Sequence, residues 1–179
     1  MKKLGIGALV GGLILFIWQF ISWGLLDLHY SQMAYTPAQD EIMQALESSD
    51  ITTGEYYMIR APKGSDMEQQ EQLMEERTGK PWALIKYRDS LNNNMGMNFI
   101  RALAVNIVAC FILAWILMNF ADLSMKTSIL TSIGIGMMGY FTVTYLDSIW
   151  FESKTLPHLL DAILSWALVG GWLGWWLRR

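Results

Sequence analysis

Four long apolar blocks dominate the pattern of hydrophobic and polar positions along the chain. An α-helix needs about 20 residues to cross a bilayer core of roughly 30 Å, and each block has about that length. The blocks cover Leu4–Leu26, Phe99–Ala121, Thr127–Leu146 and Leu156–Leu177. The pattern predicts a mainly α integral membrane protein, built as a four-helix transmembrane bundle.

The first block also invites interpretation as a signal peptide, because it follows Lys2 and Lys3. Its apolar run is longer than the core of a typical signal peptide, which has about 7–15 residues, and no A-x-A-like cleavage site follows it. We therefore interpret this block as a retained membrane span.

The polar segment 28–97 carries local signals of a small α/β fold. Thr36 before Pro37 is typical of a helix start, and a second helix is predicted to be capped by Ser65 and to end at Gly79. The runs GEYYMIRAP and PWALIKYRD predict two strands, which a strand–helix–strand connection would most simply make parallel.

These elements predict three regions along the chain. Residues 1–27 contain span 1, residues 28–97 form an α/β extracytoplasmic cap inserted between spans 1 and 2, and residues 98–179 contain spans 2–4. The cap has about 70 residues and no disulfide, so it can build only a small hydrophobic core. We expect it to rest on the outer ends of the spans.

The distribution of basic residues predicts the orientation in the membrane. Four spans leave both termini on the same side, and basic residues flank both chain ends: Lys2, Lys3, Arg178 and Arg179. The short loop between spans 2 and 3 adds Lys126, whereas the loop 147–154 has one lysine against two acids. By the positive-inside rule, both termini are predicted to be cytoplasmic, in a bacterial inner membrane.

Composition narrows the possible functions. The chain of 179 residues is 53% hydrophobic with nine tryptophans, and its single cysteine lies inside the second span. It contains no P-loop, no nucleophile elbow, no HExxH sequence and no CxxC pair. We expect a protein without a cofactor and without nucleic-acid binding, in contact with the lipid bilayer and with another membrane protein or a second copy of itself.

Two charges inside the spans predict an intramembrane ion pair. Arg101 in span 2 and Asp161 in span 4 both lie about one helical turn inside the predicted outer boundary. A charge facing hydrocarbon costs a few kcal/mol, so such residues usually pair or turn inward. The pair is expected either to fix the register of the two helices, with Arg101 partly snorkelling, or to act as a proton- or ligand-sensitive latch.

Other polar residues lie beside this pair on the same helices and complete a candidate structural or gating cluster. Its members are Arg101, Asp161, His158, Asn98, Asn106 and Ser165. A weaker cluster is predicted at the outer boundary from Asp27, His29, Asp147 and Glu152. Imidazoles with carboxylates could bind a divalent metal or relay a proton, but the spacing matches no metal motif, and no metal site is predicted.

The first and last spans carry a resemblance to a family. The stretches GALVGGLILFIWQFISWGLL and IWFESKTLPHLLDAILSWALVGGWLGWWL resemble a family of small uncharacterised four-span bacterial membrane proteins. Asp161 and the glycines at 170, 171 and 174 carry the resemblance, whereas segment 28–97 departs from it as an apparent insertion. The resemblance implies a location in the membrane and no activity.

The leading functional hypothesis is a non-enzymatic accessory, assembly or structural subunit that acts through its cap and its bundle. The alternative is a small oligomeric transporter or channel subunit, gated near Arg101 and Asp161. A transporter needs a polar path that continues past these charges. The spans offer few polar residues beyond them, which ranks the accessory subunit first.

The predicted orientation can be tested by cysteine accessibility. A cysteine at Ser65 should react with a membrane-impermeant thiol reagent added outside the cell, and a cysteine at Ser124 should react only after the membrane is opened. The reverse pattern of labelling would overturn the orientation.

Overall fold

The computed structural model describes residues 2–179 and shows a mainly helical chain with one small sheet. The helices are α1 (Lys2–Phe20), α2 (Gln39–Glu47), α3 (Met67–Arg77), α4 (Met95–Met118), α5 (Met125–Gly139), α6 (Leu146–Phe151) and α7 (Leu156–Leu177). The strands are β1 (Gly54–Tyr57) and β2 (Leu84–Tyr87). Contacts divide the chain into two units, one formed by the residues up to Ala34 with Asn94–Arg179, the other by Tyr35–Asn93.

Four helices are long and apolar enough to span a membrane, as the hydropathy pattern predicts. They cover Lys2–Leu25, Met95–Met118, Met125–Phe151 and Leu156–Leu177. The first and the third include short π-helical stretches, Ile21–Leu25 and Tyr140–Tyr145. Large apolar side chains such as Ile17, Val105 and Trp115 are exposed on the outside of these helices, a distribution compatible with a membrane protein.

The four long helices alternate in direction. Trp172 and Trp176 near the end of α7 donate hydrogen bonds to the carbonyls of Gly7 and Lys3 at the start of α1. The start of α1 and the end of α7 therefore lie together, at what we call the terminal end of the bundle. The opposite end, where α1 stops and α4 and α7 begin, is the distal end.

Small residues bring the helices close together in the terminal half of the bundle. Gly11 of α1 faces Cys110 of α4, and a Cβ atom added at Gly12 would lie 2.7 Å from the backbone of Ile107. Glycine at these positions lets the helix backbones approach, which is the usual basis of helix packing in lipid. The buried core lies beside these contacts: Ala8, Leu15, Cys110, Leu113, Ala114, Leu117, Val169 and Leu173.

The unit Tyr35–Asn93 contains an antiparallel two-stranded sheet, so the expected parallel pairing is wrong. Gly54 pairs with Tyr87 and Glu55 with Lys86. Antiparallel pairing sets the opposite charges of Glu55 and Lys86 side by side, with their charged atoms 3.8 Å apart. Beyond the ladder, the hydroxyl of Thr53 donates to the Asp89 carboxylate over 2.7 Å.

Both helices of this unit form where the sequence places them, but their starts are shifted. Helix α2 begins at Gln39 without a side-chain cap, and Pro37 lies in the preceding turn instead of at the first helical position. Helix α3 is capped by Asp66, whose carboxylate accepts from the Gln69 N–H while the Gln69 side chain accepts in return. The predicted stop is confirmed, since Gly79 follows the helix with φ of +78°.

We expect Gly12→Ala to destabilise the bundle by about 1–3 kcal/mol, because the added methyl group collides with the backbone of Ile107. Gly5→Ala in the same helix is the matched control, since nothing lies within 4 Å of its added Cβ. Denaturant unfolding of the detergent-solubilised protein, followed by circular dichroism, measures both. Equal stability of the two variants would contradict the close approach of α1 and α4.

Candidate functional site

The chain turns back on itself just after α1. The π-helical stretch closes with hydrogen bonds from the Leu26 N–H to the Ile21 carbonyl and from the Leu28 N–H to the Ser22 carbonyl. Asp27 then adopts a left-handed conformation with φ of +48°, a region that Asp tolerates better than most residues. This reversal brings His29 back to the distal end of the bundle, where its side chain is only 2% exposed.

The start of α7 supplies the carboxylate of the site. Thr155 precedes the helix, and Pro157 occupies its first turn, where a missing N–H costs nothing. His158 and Asp161 follow within the first two turns, three residues apart and therefore on the same face. Asp161 lies where α7 passes the end of α1.

The Asp161 carboxylate accepts three hydrogen bonds. Its Oδ1 accepts from Trp18 Nε1 over 2.9 Å and from Ser22 Oγ over 2.7 Å. Its Oδ2 lies 2.9 Å from His29 Nε2. Because the Ser22 hydroxyl bonds to the carboxylate and not to an imidazole nitrogen, it lacks the base that would make it a nucleophile. The contacts around Asp161 bind the carboxylate between α1 and the turn that follows it.

Gln32 and Trp23 hold His29 in place, and Lys154 in turn holds Gln32. Its Nδ1 lies 3.1 Å from Gln32 Oε1, and Gln32 Nε2 donates to the Lys154 carbonyl over 2.5 Å. The indole of Trp23 stacks on the imidazole with ring centroids 3.8 Å apart and planes 4° from parallel. Since a carbonyl only accepts, the bond to Lys154 fixes the amide with its oxygen toward His29.

This arrangement fixes where the protons of the site lie. Gln32 Oε1 accepts from His29 Nδ1, so Nδ1 carries a hydrogen. Without a further proton, His29 Nε2 and Asp161 Oδ2 would be two acceptors facing each other at 2.9 Å. A proton therefore lies between these two atoms and gives the pair no net charge.

His158 completes a group of three metal-ligating side chains. Its ring centroid lies 4.6 Å from that of His29. One ligand atom from each of His29, His158 and Asp161 lies within 4.8 Å of the other two, the one such group of three in residues 2–179. Within the same described residues, the ring nitrogens of His158 form no hydrogen bond with another side chain or with the backbone.

A cavity of about 640 Å³ opens beside this group, between α1, α4 and α7. We call it the bundle cavity. Its wall is mostly aromatic and apolar, with His158 and Asp161 as its ionisable groups. The aromatic residues that line it are Phe16, Trp18, Phe20, Trp23, Phe99 and Trp166. All the elements that form the cavity belong to the helical unit.

The predicted ion pair between Arg101 and Asp161 is not formed. Within residues 2–179, Asp161 makes its one ion pair with His29, and Arg101 is exposed without a salt bridge. The physical reason is the rotation of α4 about its axis, which turns Asn106 and Cys110 into the bundle. Ala102 lies four residues before Asn106 and faces the cavity, so the next residue toward the N-terminus is turned away.

The other members of the predicted cluster are dispersed. Asn106 is buried and exchanges two hydrogen bonds with Gln19, of 2.8 and 3.3 Å. Ser165 is buried, lines the cavity and donates to the Asp161 carbonyl over 2.6 Å. Asn98 is exposed at the start of α4. The structure brings together only His158, Asp161 and Ser165 of this cluster.

The predicted boundary cluster is reduced to one residue in the site. Asp27, Asp147 and Glu152 are exposed, and none of them has a side-chain hydrogen bond or ion pair in the part of the chain that the structure describes. Asp27 and Glu152 each adopt a left-handed backbone conformation with a positive φ just after a helix, where the chain changes direction. Only His29 enters the group around Asp161.

Two residues of the site, Trp18 and Ser22, carry a sequence signal that the predictions did not use. Trp18 and Ser22 lie four residues apart and continue the small-residue face of α1 through Leu15. That spacing places them on the side of the helix that packs against its neighbours. Gln32 has no such signal, because its position depends on the chain reversal at Asp27.

Replacing Asp161 by Ala should destabilise the bundle by about 3 kcal/mol or more, because the buried His29 and Ser22 lose their partner. Arg101→Ala removes an exposed side chain and should change the free energy of unfolding by less than about 0.5 kcal/mol. Denaturant unfolding in detergent measures both variants. A similar loss of stability in the two variants would contradict this arrangement and favour the ion pair predicted from the sequence.

Comparisons of the chain with protein-family models, with curated proteins and with solved structures found no match. A function must therefore be argued from the contacts of the site. The site consists of the Asp161 carboxylate with its three hydrogen bonds, the His158 imidazole and the aromatic bundle cavity at the distal end.

Proposed function

We propose that this protein is a non-enzymatic membrane protein that binds a small amphiphilic molecule in the bundle cavity. The observation that carries the proposal is the cavity itself, with about 640 Å³ of space, an aromatic wall and two ionisable groups at one place. Small-molecule sites in proteins usually have volumes of about 300–1,000 Å³ and an apolar wall with few polar groups.

The apolar wall suits a hydrocarbon chain or ring. Phe16, Phe20 and Phe99 lie on α1 and α4, and Trp166 faces them from α7. The cavity is partly open, and the helices around it present apolar side chains to their surroundings. A ligand dissolved in the bilayer could therefore enter between the helices without crossing water.

The polar end of the cavity suits a head group that donates a hydrogen bond. A carboxylate has about four acceptor sites, and three donors occupy those of Asp161. One site on Oδ2 is left, and the ring nitrogens of His158 are also available. An alcohol or an amine at the end of an apolar chain matches these groups.

Packing on the terminal side of the cavity favours binding over passage. Leu113, Leu117, Val169 and Leu173 are fully buried there and form part of the apolar core. A transporter or channel subunit, the alternative that the sequence suggests, would need a polar path through this layer. Arg101 also lies outside the site, so the gate expected at Arg101 and Asp161 lacks one of its two residues.

The proposal includes the orientation that the basic residues favour, with both termini in the cytoplasm of a bacterial cell. The bundle cavity then lies toward the outer leaflet, and Tyr35–Asn93 lies outside the membrane. A bound lipid-like molecule could be held there for another membrane protein or for a second copy of the chain. This is the accessory role that we propose.

Binding can be tested with 12-bromododecanol, because bromine quenches the fluorescence of nearby tryptophans and Trp18, Trp23 and Trp166 line the cavity. We expect saturable quenching of the detergent-solubilised protein. Ala102→Phe places a ring in the cavity and should weaken the saturable component at least about tenfold.

Ala104→Phe is the matched control, because Ala104 lies on the same helix, is exposed and does not line the cavity. It should quench as the unsubstituted protein does. Quenching that does not saturate, or that is the same in the two phenylalanine variants, would refute binding in the bundle cavity.

A further inference from the structure

We infer that His29, His158 and Asp161 form a binding site for one divalent transition-metal ion of the zinc class at the distal end of the bundle. The inference goes beyond the binding of an amphiphile and does not depend on it. It rests on the ligand types, on the residues that orient them and on the short distances between the ligand atoms.

The ligand types suit such an ion. Imidazole nitrogens and a carboxylate oxygen are common zinc ligands, at about 2.0–2.2 Å from the metal. His29 from the turn after α1 meets His158 and Asp161 of α7 here, in the distal half of the bundle. Hard ions such as Mg²⁺ prefer oxygen ligands alone, so the set favours a transition metal.

The surrounding residues hold two of the ligands in the required form. Gln32 binds the Nδ1 hydrogen of His29, which leaves Nε2 as the nitrogen that faces Asp161. Trp18 and Ser22 bind Oδ1 of Asp161 and leave Oδ2 to face His29. Metal-binding histidines and carboxylates are usually oriented by hydrogen bonds of this kind to their remaining atoms.

His29 Nε2 and Asp161 Oδ2 need a cation between them or beside them. A proton serves this purpose in the metal-free site, and a bound metal ion would replace it. The ion would bind the lone pair of Nε2 and the negatively charged Oδ2, and one proton would leave to the solvent. The contact of 2.9 Å would open as the ion enters.

His158 is the ligand that can move. The three ligand atoms lie within 4.8 Å of one another, which is wider than the separation of about 3.5 Å that tetrahedral bonds of zinc length imply. A change in the side-chain rotamer of His158 can close the difference. Because its ring nitrogens have no hydrogen bond within residues 2–179, this movement breaks none.

The test uses Co²⁺ as a spectroscopic substitute for zinc, with the full chain purified in detergent and without a histidine tag. We expect one Co²⁺ to bind per chain, with the visible absorption of a four- or five-coordinate ion, and Zn²⁺ to displace it. His158→Ala should weaken Co²⁺ binding at least about tenfold. This variant loses no hydrogen bond, so circular dichroism should show it folded.

Two further variants separate the site from adventitious binding. Gln32→Ala leaves all three ligands in place but frees His29, and should weaken binding about 10–100-fold. Asp147→Asn neutralises an exposed acid of the predicted boundary cluster that lies outside the site, and it should leave binding unchanged. Absence of saturable Co²⁺ binding, or binding of His158→Ala with the affinity of the unsubstituted protein, would overturn the proposal.

Discussion

A carboxylate in an apolar helix bundle imposes the constraint on which the rest of this structure depends. Asp161 is only 19% exposed, and a charge in such surroundings is costly unless donors surround it. The donors come from one stretch of the chain, since Trp18 lies on α1, Ser22 in the π-helical stretch after it and His29 in the turn that follows. The bond from His29 therefore ties the chain reversal after α1 to the start of α7.

Residue size changes along α1. Gly7, Gly11 and Gly12 lie against residues of α4 and α7 in the terminal half, whereas Phe16 and Phe20 line the bundle cavity in the distal half. The small residues of α1 therefore belong to the packed part of the bundle, and its aromatic residues belong to the cavity that Asp161 also lines.

Much of the fold could be predicted, because length and hydropathy alone determine which segments can cross a bilayer. The importance of Asp161 also followed from its cost in an apolar span. The partner of Asp161 could not be predicted in the same way. Two charges at similar depth lie at one level of the bundle, but the direction in which each points around its helix does not follow from depth. The predicted pairing of Arg101 was wrong because Arg101 faces away from Asp161 around α4. The contact of His29 with Asp161 was not predicted because the position of His29 depends on one left-handed residue, Asp27.

The order of the chain gives this network a consequence for biosynthesis. Each donor to Asp161 precedes it by more than 130 residues, as His29 does by 132 and Trp18 by 143. The ribosome therefore completes α1 and its turn long before the acceptor exists. The carboxylate of α7 is therefore made after all of its donors, and it can close the network only once α7 itself has been synthesised. Closure of the network joins the first of the four long helices to the fourth.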